Sequence, residues 1–343
     1  MERLKDSQWI VGPRADWPLI VLAPLLGLGL GLGLGLTPAA TRPVNLLGVR
    51  GTLADGFIGV FITAHLALVF FRSHANPAVF ARWPWRFTYV PLALFATLMA
   101  FPLARAAAAV VAVWWDVYHS SLQTFGLGRI YDRLAGNDPQ EGRWPEIGLC
   151  HLLYIGPVLA GASLPLHTRV FYEFEGTSWA GASAWAGAML SARPVLGRWL
   201  ALAGAFYLAA FLVWAAWRAS RGRPVPPRKA WLYASTALTS VWAWGFNPLG
   251  MALFIMNFFH ALQYFAVVWR YEEGNIARVF GCAEGPEGRR RAFLAFVGAG
   301  VAYGLAGGLL GELYQTALCL TLVVSLMHFW YDGFIWSVRS GDA

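Results

Sequence analysis

Charge is what this sequence has least of. Only 13% of its 343 residues are Asp, Glu, Lys or Arg, about half the share of an ordinary soluble domain. So few charges cannot solvate the surface of a chain that is 58% hydrophobic, which excludes a soluble fold. Disorder is excluded for the opposite reason, because the apolar mass far exceeds what collapse requires. Cysteine is also scarce. Cys150, Cys282 and Cys319 lie far apart, with no CxxC pair and no even count, so no disulfide framework is implied. An apolar N-terminal run is missing as well: MERLKDSQWIVGPRADW is polar for its first 16 residues, which argues against a cleaved signal peptide. Finally, there is no basic domain. The net charge is +8, but the basic residues are scattered between apolar runs, so membrane topology explains them and nucleic-acid binding does not.

What is present is apolar length. Stretches of ~17–25 apolar residues can cross ~30 Å of hydrocarbon as helices, and ten occur, at 17–36, 52–71, 87–103, 105–128, 147–166, 197–217, 230–247, 249–271, 292–311 and 313–336. The expected fold is all-α, a polytopic membrane helical bundle of about ten transmembrane helices forming one integral membrane domain over 1–343. Spans three and four, seven and eight, and nine and ten are joined by short turns. Basic residues sort by loop: 20 of the 26 Lys and Arg fall in the N-terminal tail, in loops 72–86, 129–143, 218–229 and 270–291, and in the C-terminal tail. Positive loops stay cytoplasmic. Both termini are therefore expected inside, with 1–16 a cytoplasmic tail and 167–196 an outer interfacial loop carrying Trp179 and Trp185. The expected location is a bacterial cytoplasmic membrane. The run Gly27–Leu36, GLGLGLGLGL, predicts close packing of the first helix against a neighbour.

Four of seven histidines sit well inside predicted spans: His65, His119, His260 and His328. Ionisable groups at such depth are rare and need a reason. With the termini inside, spans two, four, eight and ten all run inward, and each histidine falls about 6–11 residues before its cytoplasmic end, or roughly 9–16 Å at ~1.5 Å per residue. A shared depth on four helices points to a shared ligand. Asp116, Gln123, Asn257, Gln263 and Asp332 lie three or four residues from these histidines and so on the same helix faces. Asp116 and Asp332 are expected to orient imidazoles or complete the coordination, as carboxylates do behind metal-ligating histidines. Gln123, Asn257, Gln263 and His151 form the surrounding shell. Tyr264 is placed to line the cavity or donate to bound oxygen. Imidazoles with carboxylates and no thiolate suit iron, copper, zinc or manganese and argue against an iron–sulfur centre; iron is the expected metal. A redox metal at this depth fits a lipid or isoprenoid-like substrate entering laterally, with dioxygen as co-substrate. Each histidine taken singly is as well explained as hydrogen-bonding glue between helices. Asp55, Glu272 and Glu273 read as interfacial or solvated, and His74 and His167 as solvated loop residues.

At His65, His119–Gly126, His260–Trp269 and His328–Trp336, in that order, the chain distantly resembles the Brp/Blh family of integral-membrane beta-carotene 15,15'-dioxygenases. The resemblance rests on about 40 residues and implies a helical iron enzyme that cleaves a carotenoid. Val69 stands where the family has an Asp, and Tyr264 where its HxxxH helix has the second histidine. His328 or His151 is left to complete the ligand set. Two other function classes fit the same histidines: a heme-binding electron carrier or assembly factor using axial histidine pairs, and a transporter relaying protons through the histidines and Asp116, with helices broken at Pro157 and Pro248.

Overall fold

The computed structural model describes residues 8–46, 49–138, 140–247 and 251–336. Across them the chain is all-α apart from one antiparallel hairpin, β1 (Pro43–Leu46) with β2 (Val49–Thr52). A π-helical turn, Trp17–Val21, leads into α1 (Ala23–Gly35) and the short α2 (Pro38–Thr41). After the hairpin come α3 (Leu53–Ala67), α4 (Val69–Ser73), α5 (Pro77–Phe80), α6 (Pro84–Ala100), α7 (Pro102–Leu134) and α8 (Arg143–Ala160). Next are α9 (Leu164–Thr168), α10 (Ser183–Ser220), α11 (Pro227–Ser240), a second π-helical segment Val241–Phe246, α12 (Ala252–Val279), α13 (Pro286–Leu313) and α14 (Gln315–Ile335). The described residues of each of the ten apolar stretches lie mainly on one or two of these helices. Among the described residues, five helices are long and apolar enough to cross a membrane, or six if α8 and the bent continuation Leu164–Phe174, at 91° to it, form one span. This is an integral membrane protein by that measure.

Local chemistry explains the boundaries. α3 begins at a reciprocal cap in which the Thr52 hydroxyl accepts from the Asp55 amide at 3.0 Å and the Asp55 carboxylate accepts from the Thr52 amide at 3.0 Å. Asp55 is thus a helix cap. α6 ends at Phe101, extended because Pro102 follows, and Arg105 closes that turn by donating to the Leu98 carbonyl at 2.8 Å. α8 runs through Pro157 and stops at Gly161, where a side chain would meet the Trp244 carbonyl and Gly245 backbone. The 167–196 stretch differs from an interfacial loop. After the 3-10 turns Arg169–Phe174 and Ala180–Ala182, residues 183–196 belong to α10 and continue into the sixth apolar stretch, because ASAWAGAMLSA is rich in the best helix former. The break at Pro248 and the tail before Gln8 lie outside the described residues.

The chain divides into two compact units, one comprising the segment up to Leu32 and Val113–His260, the other Gly33–Ala112 and Ala261–Trp336. In the second unit α3 and α13 pack closely because Gly300, Gly304 and Gly308 repeat every four residues along α13. A Cβ on Gly304 would lie 2.1 Å from the Val60 carbonyl oxygen. Leu68, Phe71, Tyr264, Val268, Ile276 and Phe296 form its core. In the first unit, Gly27 and Gly31 of the GL repeat press against Ile255, whereas Gly29 meets nothing. Half of the repeat is thus a packing face.

Candidate functional site

The four histidines of the apolar stretches are buried, and within each unit two of them meet. In the second unit, α3 presents His65 and α14 presents His328. Their rings meet edge to face with centroids 5.1 Å apart, and each offers a nitrogen within 4.8 Å of the other's. Tyr264 of α12 stands against both, its ring 4.6 Å from His328 and 6.2 Å from His65. One turn beyond His328, Asp332 places Oδ2 3.9 Å from His328 Nε2. Its other oxygen, Oδ1, accepts from the Tyr264 hydroxyl at 2.9 Å and from the Trp336 indole at 3.0 Å.

In the first unit, His119 of α7 and His260 of α12 make the second pair, edge to face at 5.2 Å. Gln123, one turn after His119, donates to the His260 carbonyl at 3.1 Å and ties the two helices together at this point. His151 lies beside the pair's helix rather than on it. Its Nδ1 is 2.7 Å from the Ser121 hydroxyl and its ring stacks on Tyr118. Asn257 turns back to its own helix, donating to the Leu253 carbonyl at 3.0 Å. Asp116 is half-buried on α7, one turn before His119, and Gln263 is buried on α12.

Three features escaped the sequence reading. Trp336 joins the site through Asp332, a contact visible in sequence only as an i, i+4 spacing at the frayed end of a helix. Glu272 is buried, not solvated: Arg72 donates to it at 2.6 Å, Asn76 at 3.0 Å, and the Arg72 guanidinium lies 4.6 Å above the Trp336 ring. In the first unit, Arg129, Asp132, Glu146 and Lys229 close a fully buried ring of alternating charges, with Arg129 to Glu146 at 2.9 Å, Lys229 to Glu146 at 2.5 Å, and both cations bonded to Asp132. His74 and His167 also depart from the solvated reading. His74 bonds Ser73 and the Phe87 carbonyl inside a cage of Phe70, Phe80, Phe87 and Tyr331. Burial there holds its pKa below the usual imidazole value. His167 is buried between Trp114 and Trp244.

An apolar cavity of about 500 Å³ lies within the second unit, bordered by Leu68, Phe71, His74, Phe280, Met327 and Tyr331. Leu68 and Met327 are near neighbours in sequence of His65 and His328, so the cavity runs beside the helical segments that carry that pair. Comparison of the chain with protein-family models, curated proteins and solved structures gave no match.

Proposed function

We propose that this is a membrane-embedded, metal-dependent oxidoreductase of the non-heme iron oxygenase type, acting with dioxygen on a lipid or isoprenoid-like substrate. The observation that carries the proposal is the pairing of all four intramembrane histidines, His65 with His328 and His119 with His260. Histidines serving only as interhelical glue have no reason to meet one another, whereas ligands do. Asp332 and Asp116 are assigned as the carboxylates that orient or complete the set, and Tyr264 as the hydroxyl nearest the His65 and His328 rings. The apolar cavity supports the substrate class, its volume falling within the ~300–1,000 Å³ of small-molecule sites. Iron bound there supplies oxygen activation. The protein's own part is to hold imidazoles, keep Asp332 beside His328, and exclude water with an aromatic lining.

The heme alternative has less support. Two imidazoles on opposite sides of one heme iron put their ring centres more than ~6 Å apart, from metal–nitrogen bonds of ~2 Å, and neither pair at 5.1 or 5.2 Å leaves a porphyrin that gap. The topology proposed with this function has ten spans, both termini cytoplasmic, and a bacterial cytoplasmic membrane as its location. Purified protein is expected to carry iron without a Soret band and to lose it when all four histidines become Ala. Less than about 0.2 equivalents of any transition metal, unchanged by those substitutions, overturns the proposal.

A further inference from the structure

We infer that Trp336 is a positioning residue that fixes Asp332 as the carboxylate partner of His328 and thereby selects which ring nitrogen of His328 faces a metal. The inference rests on the metal reading above and extends it to a residue outside the histidine set. Asp332 has two oxygens and the structure gives them different work. Oδ1 takes two donors, the Tyr264 hydroxyl at 2.9 Å and the Trp336 indole N–H at 3.0 Å. These come from different helical positions and fix the plane of the carboxylate. Oδ2 is thereby directed at His328 Nε2, 3.9 Å away. That distance is too long for a hydrogen bond, but contacts of this kind tighten when the ligand binds. A proton held on Nε2 by the carboxylate puts the ring's lone pair on Nδ1, so His328 ligates through Nδ1. A carboxylate on the outer nitrogen also makes an imidazole a more basic ligand.

Trp336 is itself held in place. The Arg72 guanidinium lies over its ring at 4.6 Å, donates to the Ile335 carbonyl at 3.3 Å, and is anchored in turn by Glu272 at 2.6 Å. A chain of contacts thus runs from the buried Glu272 to the histidine pair, and each link constrains the next. The ion pair pins the arginine, the arginine pins the indole, the indole pins one carboxylate oxygen, and the other oxygen meets the imidazole.

The test is metal binding, with Co(II) as the probe, by purified protein in detergent. Trp336→Phe keeps a ring for Arg72 to cover and deletes only the N–H. Its affinity for Co(II) is expected to fall by up to about 10-fold, the low end of the cost of disturbing the partner of a ligating histidine, because the Tyr264 hydroxyl still holds Oδ1, with the number of ions bound at saturation unchanged. The visible Co(II) absorption bands are expected to shift, and Asp332→Asn, which keeps the shape and removes the charge, is expected to shift them the same way. Trp83→Phe, whose ring packs on Phe334 and Phe87 of the same unit rather than donating to Asp332 Oδ1, serves as the control for general loosening. Wild-type affinity and wild-type bands in Trp336→Phe overturn the inference while leaving the metal reading in place, whatever Asp332→Asn does. A wild-type protein that binds no Co(II) overturns both. A loss of affinity equal in Trp83→Phe overturns the positioning role alone.

Discussion

Lys229 reaches two carboxylates at once, Asp132 and Glu146, and Arg129 reaches the same two. Removing one member of such a buried ring leaves an uncompensated charge, which costs more than the ring contributes as a whole. Asp132→Ala is therefore expected to destabilise the protein by ~3–5 kcal/mol, measured by denaturant unfolding in detergent. Adding Lys229→Met to it removes the stranded cation and is expected to recover part of that loss, as coupled sites do. The contrast with the four histidines explains what could be read from residues alone. Histidines stand out in apolar helices because nothing about a span predicts them. Asp132, Glu146 and Lys229 sit near helix ends, where charge is ordinary, and their partners are up to 97 residues away in the chain. Arg72 and Glu272 are hidden in the same way, 200 residues apart. Pairing across such separations is invisible until the helices are packed.

Helices of this chain begin and end for local reasons, and most of those are legible: a Thr-x-x-Asp cap, a proline after an extended residue, a glycine where two backbones touch. The segment before Pro77 is the exception. His74 falls just past α4 in what reads as a polar loop, yet it is clamped under aromatic rings with both nitrogens engaged. Because burial lowers its pKa, the folded protein favours the neutral ring, while the unfolded chain takes up a proton at higher pH. Its stabilising contribution is complete above ~6.5, the ordinary histidine value, and is lost as the pH falls below it. The melting temperature of the wild type is expected to drop from pH 7.5 to 5.5 by more than that of His74→Phe, so that the gap between the two narrows in acid. A gap that stays constant with pH contradicts the buried neutral imidazole. α10 teaches a related point. Its alanine-rich start falls in the stretch expected as an interfacial loop, but residues 183–196 are helical because alanine favours the helix whatever surrounds it.

For the molecule as a whole, the distribution of Lys and Arg makes a prediction that does not depend on the histidines. Single cysteines placed in loops 129–143, 218–229 and 270–291 are expected to resist a membrane-impermeant thiol reagent in intact cells, and cysteines near Arg42 or Arg169 to react. The reverse pattern inverts the topology. Scarcity of charge is enough to make the chain helical and membrane-embedded, because 44 charged residues among 343 cannot solvate a soluble fold. It also singled out the four histidines, since apolar surroundings make an ionisable group costly and therefore conspicuous. Tertiary structure alone decided how they are matched, His65 to His328 and His119 to His260, and which oxygen of Asp332 is committed to Trp336 and Tyr264. The reason is geometric: apolar length sets whether a helix spans, but the rotation of each helix about its axis is set by side-chain packing against partners far away in the chain, and that rotation determines which imidazoles meet.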